Sequence, residues 1–287
     1  MALVSALIPT HNRADRVGGA IETVLNQTYD DVEAVVVCDG STDGTEAVLD
    51  GYAADDRVRV RYNGENRGIS YSFNRAADVA DGDYYCILGD DDRWHPEKVE
   101  RQLERMASLD DEYGVVYTGG VLTTESGLVS RRYRPTQRGE IYPEILRGFD
   151  LHPHSSHMIK RRDYEAVDGF DESFPRGVDW DMTVRLAKRC KFDYLPEVLT
   201  RRTSHDSNIS DEPQQLEVGR LMWRKYRDEM VEHPEIARRF LATWYTAKAR
   251  IELRHEGEHA AGIESAARAF RYRPTLHGAV WLALVLA

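Results

Sequence analysis

Three consecutive carboxylates, Asp90, Asp91 and Asp92, stand in the run GDDDRWHP at residues 89–96, directly behind an apolar stretch. Like charges side by side repel one another, and a divalent cation or strong solvation relieves that repulsion. Mg or Mn is commonly held by one or two carboxylates, with the remaining ligands supplied by a substrate diphosphate. The run therefore reads as a cation-assisted phosphate site or, failing that, as a solvated acidic turn. A second pair, Asp179 and Asp181 in RGVDWDMTVRL (176–186), opens a helical stretch. A carboxylate there stabilises the first turn of the helix. CDGSTDGTEAVLD (38–50) has the spacing of a calcium loop. Such a loop needs a helix entering it, whereas the preceding VEAVVV is β-branched strand material. Asp39 is therefore read as a strand-end carboxylate facing a crevice. HPHSSHM (152–158) carries three histidines but no cysteine or acid to complete a zinc site, so lining of a ligand site or plain structure is the reading.

The elements that must position these groups follow from hydrophobic periodicity. Strands are expected at 3–8, 32–37, 58–62, 83–88 and 113–118, and helices at 14–27, 42–53, 69–80 and 96–109. This alternation predicts an α/β domain with a mostly parallel sheet flanked by helices. Each strand ends in a polar loop: PTHNR, CDGSTD, NGENRG and GDDD. Ligands of open α/β sheets bind beyond the carboxyl ends of the strands, so these four loops should converge on one crevice. Hairpin-like material follows at 121–134, with a strand at 155–160 and a helix at 179–190. After about residue 212 the pattern is helical, broken at Pro234, Gly257 and Pro274.

With 287 residues the chain can bury a core without disulfides or metal. Its 49 acidic against 38 basic residues leave a net charge of -11, which argues against a nucleic-acid partner, since phosphate contacts need a basic face. Three scattered cysteines fit neither a disulfide framework nor a zinc knuckle and suit a reducing, cytoplasmic setting. MALVSALIPTHNR is read as a first strand rather than a signal peptide. The nine apolar residues of AVWLALVLA (279–287) are too few to cross a bilayer. Together with Trp223, Trp244, Tyr245 and Trp281 they suit contact with the cytoplasmic face of a membrane, a second subunit, or packing within the protein.

Five segments in order, ALIPTHNR, VLNQTYDDVEAVVVCDGSTDGT, NRGISYSFNRA, ILGDDDRWHPEKVE and GFDESFPRGVDWDMTVRL, resemble the family 2 glycosyltransferases with the GT-A fold. The resemblance covers about residues 3–205. It implies a Rossmann-like catalytic domain over 1–211, with a nucleotide-sugar part to about 120 and an acceptor part from 121 to 211, then a C-terminal helical appendage at 212–287. It implies inverting, metal-dependent transfer of a sugar from a nucleotide-diphosphate donor, typically a UDP-sugar, to a hydroxyl of a carbohydrate or lipid-linked acceptor. On the matching positions, Pro9, Thr10, His11, Asn12 and Arg13, with Asp39, Asn66, Arg67 and Gly68, line the nucleotide, and Asp39 accepts from the base ring N–H. Cys38 stands where the family usually has a second Asp. The family's Asp-X-Asp motif falls on Gly89, Asp90 and Asp91, which makes Asp91 a Mn or Mg ligand, Asp90 a nucleotide contact and Asp92 a supporting metal residue. A second register makes Asp90 and Asp92 the working pair. Asp179 takes the role of general base, with Val178 replacing the family's Glu. Trp180 and Asp181 lie near donor sugar or acceptor, and His205 reaches the metal. Two other readings compete: a sugar-phosphate nucleotidyltransferase, which lacks its Gly-rich basic loop here, and a non-catalytic sugar-nucleotide binder.

Overall fold

The computed structural model describes residues 2–204, 212–254 and 259–274. The chain forms two compact units, one of Met1–Ile141 with Asp150–Asp206 and the other of Tyr142–Phe149 with Ser207–Ala287. The first begins with the expected alternation: β1 (Val4–Thr10), α1 (Val17–Leu25), β2 (Val32–Asp39), α2 (Thr45–Asp50), β3 (Val58–Asn63), α3 (Ile69–Ala77) and β4 (Tyr84–Ile87). It continues with β5 (Arg93–Trp94), α4 (Lys98–Ala107), β6 (Tyr113–Thr124), β7 (Val129–Tyr133), β8 (Met158–Lys160), α5 (Arg161–Ala166), α6 (Val178–Ala187) and β9 (Lys191–Ser204). All nine strands join one sheet in the order β3-β2-β1-β4-β8-β6-β9-β5, with β7 paired to β6.

β1 to β4 are mutually parallel. β1 and β2 are buried along their whole length, which is why both read as nearly unbroken apolar runs. The polar exceptions are paired: Ser5 donates to Glu33 at 2.6 Å, and Arg59 meets the other Glu33 oxygen at 2.9 Å. β8 then runs antiparallel to both β4 and β6, and β6 pairs in parallel with β9. This mixed half departs from a purely parallel sheet and gives the segments after α4 their own strand ends.

α4 ties the sheet to the segment before β8. Lys98 is fully buried, donates to Gln102 at 2.6 Å and lies 4.0 Å over the Trp94 ring. Gln102 in turn donates to the carbonyls of Val116 and Ser156, and Trp94 Nε1 to that of Ser155. Residues 155 and 156 are thereby fixed from below by buried hydrogen bonds, whose loss would leave unpaired polar groups in the core.

Sequence reading has a last strand ahead of His205 but sets no bounds for it, and the reason lies in the irregularity of 191–204. Between Leu195, opposite Thr118, and Val198, opposite Gly119, the residues Pro196 and Glu197 are looped out of register. Pro is tolerated at such a bulge because no ladder hydrogen bond is asked of it. Gly119 lies under the bulge, where a Cβ would stand 2.8 Å from the Glu197 carbonyl oxygen and 2.9 Å from that of Pro196.

The second unit contains α7 (Glu212–Glu232), α8 (Pro234–Arg254) and α9 (His259–Tyr272). The break at Pro234 is as expected. Trp223 stacks on Phe240, and Trp244 donates to the Leu216 carbonyl at 3.0 Å, so these two tryptophans serve the packing of α7 on α8. Gly257, His205, Trp281 and the apolar 279–287 segment lie outside the described residues. Among the described residues no helix is long and apolar enough to cross a membrane.

Gly119→Ala is expected to destabilise the protein by about 1–3 kcal/mol in urea unfolding, through the backbone clash at the bulge. Gly64→Ala, with nothing within 4 Å of its added Cβ, should stay within about 0.5 kcal/mol of wild type.

Candidate active site

The ends of β1, β2 and β3 are laced together by side chains at the polar loops. His11 Nδ1 donates to the Asp39 carbonyl oxygen at 2.6 Å. Asn12 receives the Thr42 amide on Oδ1 at 2.8 Å and gives its own amide to Ser41, while the Arg13 amide donates to Thr45. Asp39 is 4% exposed. Its Oδ1 accepts from Asn63 at 2.6 Å and from the Arg67 amide at 2.9 Å, and its Oδ2 from the Gly68 amide at 2.8 Å. A carboxylate offers about four acceptor positions, so one is left for a ligand. Gly40 follows with φ +63°, and a Cβ there would lie 2.4 Å from the Glu65 carbonyl carbon. The 63–68 loop can approach Asp39 only because position 40 has no side chain. Pro9 and Thr10 are buried, Asn66 and Arg67 exposed, and Arg67 lies 3.9 Å over the Tyr71 ring.

The acidic run sits beside this pocket. Thr10 Oγ1 donates to Asp90 at 2.7 Å. Burial, and then the Asp91 charge, push Asp90 up to about 7, against the Thr10 hydrogen bond and the positive charges of Arg13 and Arg16. Asp92 is raised in the same way by burial and by Asp91, against Arg202 and Ser155. Ser155 donates to Asp92 Oδ2 and accepts from the Gly89 amide at 3.0 Å. The other oxygen of Asp92, Oδ1, is buried with no hydrogen-bond partner. An orphaned carboxylate oxygen inside a crowd of negative charge is a fitting ligand for a hard cation. Among the described residues no three His, Cys, Asp or Glu side chains form a self-contained metal cage. One or two carboxylates completed by substrate phosphates is the arrangement the donor set fits.

Asp179 and Trp180 are half-buried in the first turn of α6, where the Trp180 amide donates to Asp179 Oδ1 at 2.9 Å. Asp179 contributes to the electrostatic surroundings of His152, His154 and Arg202. Burial opposes the charge on Arg202, but Asp92, Tyr133, Asp91 and Asp179 outweigh it and hold the guanidinium above its ordinary value. Asp91, Asp92 and Asp179 thus all lie within electrostatic reach of Arg202. Burial pulls His154 down to about 4 and His157 further, so both imidazoles are neutral at pH 7.

Asp181 is a correction to the sequence expectation. It is fully buried, its carboxylate accepts from Arg185 at 2.9 Å, and Arg185 also donates to the carbonyls of Val167 and Gly169. Two residues beyond Asp179, it points into the core and has no surface to offer a sugar. Sequence reasoning missed Ser155, Asn63 and Arg202. The signal for Arg202 was the period-two alternation of RRTS, in which neighbouring arginines must face opposite sides of a strand.

Comparisons with known proteins give the family and the fold. The sequence model of Glycosyl transferase family 2 matches residues 5–167. The chain belongs to that family of transferases. It is 32% identical over 213 residues to a chondroitin synthase of Pasteurella multocida, covering 72% of this chain and 21% of that protein. The curated relatives extend beyond it: the chain spans 40% of an uncharacterized Rickettsia felis glycosyltransferase that it matches. Its fold, the GT-A fold, is shared with S. aureus TarS 1–349 in complex with UDP-GlcNAc, at TM-score 0.71 and 16% identity over 95% of this chain and 82% of that one. Pyrobaculum calidifontis mannosyltransferase PcManGT, in complex with GDP-Man and Mn2+, matches at TM-score 0.57 and 17% identity, over 99% and 79% of the two chains.

The Asp90 shift carries a sign. Its folded-state value lies above the ordinary 3.8, so the native state binds the extra proton and loses stability as pH rises from about 4 to about 7. Discounted for its partial exposure, the penalty is about 2 kcal/mol above pH 7. In chelator-treated protein Asp90→Asn should raise the melting temperature at pH 8 by about 4–8 °C and leave it nearly unchanged at pH 4, as read by calorimetry.

Proposed function

We propose that this protein transfers a sugar, with inversion, from a nucleoside-diphosphate donor to an acceptor hydroxyl in glycan, glycolipid or polysaccharide assembly. The observation that carries this reading is the orphaned, buried oxygen of Asp92 within the acidic run, beside the strand ends where Asp39 is held with one acceptor position to spare. Family membership supports the reaction class. The UDP-GlcNAc bound by TarS and the GDP-Man and Mn2+ bound by the mannosyltransferase support a sugar nucleotide and a divalent metal, Mn or Mg. A UDP-sugar is the donor we favour.

In this reading the donor base enters beside Pro9, Thr10 and His11. The remaining acceptor position of Asp39 takes the base ring N–H, and a base without that donor would leave the carboxylate under-satisfied. Asn12, Arg13, Asn66, Arg67 and Gly68 frame the nucleoside, and Asp90, held by Thr10, contacts the ribose. Asp91 and Asp92 would hold the cation, which when bound supplies positive charge for the diphosphate. His205, proposed as a further ligand from the family resemblance, lies outside the described residues.

Asp179 accepts the proton of the acceptor hydroxyl as its oxygen bonds to the anomeric carbon. The bond from that carbon to the diphosphate oxygen breaks on the opposite side, and its electron pair leaves with the nucleoside diphosphate. A base must stand within about 3 Å of the hydroxyl to act this way. Arg202 holds the three carboxylates apart from one another's charge, and the neutral His152 and His154 leave Asp179 without a competing proton donor of ordinary imidazolium strength. Trp180 offers a flat apolar face to donor sugar or acceptor.

Incubation of a panel of nucleotide sugars with Mn2+ is expected to release nucleoside diphosphate slowly from one donor without any acceptor; release from none would overturn the enzymatic reading. Asp179→Asn should keep donor binding while lowering transfer at least ~100-fold. Asp91→Ala and Asp92→Asn should abolish the difference in nucleotide affinity between Mn2+ and chelator, measured by titration calorimetry. Equal affinities in wild type would remove the metal assignment.

A further inference from the structure

In an acidic chain, the stretch SRRYRPTQR (130–138) holds four arginines and no carboxylate. Arg138 is taken up by the buried Asp193 at 2.5 Å. Arg131, Arg132 and Arg134 are exposed, and no carboxylate among the described residues pairs with them. β7, which carries the first two, is bonded on one side only, to β6.

The register decides which of these arginines faces the crevice. Leu122 of β6 is opposite Arg131 on β7 and opposite Arg202 on β9, while Gly120 is opposite Tyr133 and Thr200. Residues paired across a sheet share a face, so Arg131, Leu122 and Arg202 form one row and Tyr133, Gly120 and Thr200 the next. A Cβ on Gly120 would lie 2.6 Å from Pro153 Cδ, which puts the 152–154 segment on this same face. The His152 ring lies 5.6 Å from that of Tyr133 and is within the electrostatic reach of both Asp179 and Arg131. Arg132, one residue along, pairs opposite Val121 and faces the other side. Tyr133, His152 and Arg131 thus belong to one face of the sheet, and His152 lies within electrostatic reach of Asp179.

We propose that the acceptor is an anionic saccharide whose carboxylate or phosphodiester pairs with Arg131, while a neighbouring unit lies along Tyr133 and His152 and presents its hydroxyl to Asp179. This deepens the transferase reading and rests on it for the role of Asp179. Guanidinium suits both anions, since its fork donates two parallel hydrogen bonds to either. The opposing negative charge of Asp91, Asp92 and Asp179 makes the position meaningful: an anionic acceptor needs a cation on its own side of the reaction, separate from the one that serves the diphosphate.

The test is direct binding by titration calorimetry, using wild type, Arg131→Ala and Arg132→Ala with three probes: a glucuronate-containing oligosaccharide, an oligo(glycerol phosphate) and a neutral N-acetylglucosamine oligomer. One of the two anionic probes should bind wild type at least ~10-fold tighter than the neutral one, weaken with added salt, and lose at least ~10-fold with Arg131→Ala but not with Arg132→Ala. Which anionic probe binds distinguishes carboxylate from phosphodiester. Equal binding of the neutral probe, or equal losses in the two variants, would overturn the proposal. So would sedimentation with phosphatidylglycerol vesicles that depends on both arginines alike in the absence of oligosaccharide binding, since that is the behaviour of a lipid-surface patch. Donor hydrolysis by wild type is read in parallel. Its failure would remove the transferase reading while leaving the anion-binding result to stand or fall separately.

Discussion

Mutual repulsion among carboxylates at one end of a sheet sets the terms for this molecule. Asp90, Asp91 and Asp92 are consecutive, Asp92 is almost wholly buried, and Asp91, Asp92 and Asp179 all lie within electrostatic reach of Arg202. Such a group is unstable unless the surroundings hold it in place and something positive offsets it. The surroundings are visible in the buried hydrogen bonds from Trp94 and Gln102 to the Ser155 and Ser156 carbonyls, and in Ser155 itself, which bridges Gly89 and Asp92. Arg202 supplies one positive charge. The orphaned oxygen of Asp92 and the upward shift at Asp90 record a remaining need that one arginine does not meet. A site of this kind is kept at a cost in stability, and a divalent cation carried in with a diphosphate is the partner whose charge matches it.

Asp39 shows the opposite treatment of a buried carboxylate. Three donors from its own chain surround it, two of them backbone amides, and it fixes the 63–68 loop rather than awaiting a cation. The contrast divides the crevice into an end where a carboxylate is satisfied by hydrogen bonds and an end where negative charge is left unsatisfied. A heterocyclic base suits the first and a diphosphate the second, because a base is discriminated by hydrogen-bond matching while a diphosphate is held by charge.

The parallel half of the sheet was legible in the sequence because strands covered on both faces must be apolar throughout, and the loops beyond their carboxyl ends stood out as polar interruptions. Asp39, Asp90, Asp91 and Asp92 could be singled out on that basis, and Asp179 by the family resemblance of its segment. The bounds of β9 were not legible: Pro196 and the polar TRRTS tail argue locally against a strand, and only pairing along β6, with two residues looped out over Gly119, carries the strand through them. Arg202 was lost with it. Asp181 failed for a different reason. Adjacent helix positions turn by about 100°, so a residue two steps from a half-exposed carboxylate can be in the core, and no local feature of DWDM announces which aspartate meets Arg185.

The same irregular strand explains why the acceptor side could not be read from sequence. In the parallel half, chemistry sits at strand ends, where polar residues interrupt apolar runs and announce themselves. On β6, β7 and β9 it sits along one face of the strands, with Arg131, Tyr133, Thr200 and Arg202 set two residues apart and divided between two edges of a common neighbour. Nothing in the spacing of 131 and 202 along the chain suggests that they share a row, since the relation exists only through Leu122. A specificity surface of this type can change its charge by single substitutions on an edge strand without disturbing the buried carboxylates that serve the donor. In the proposed reading, a donor site fixed by the core and an acceptor surface on an exposed hairpin are separate, so one scaffold can keep its chemistry while its acceptors vary.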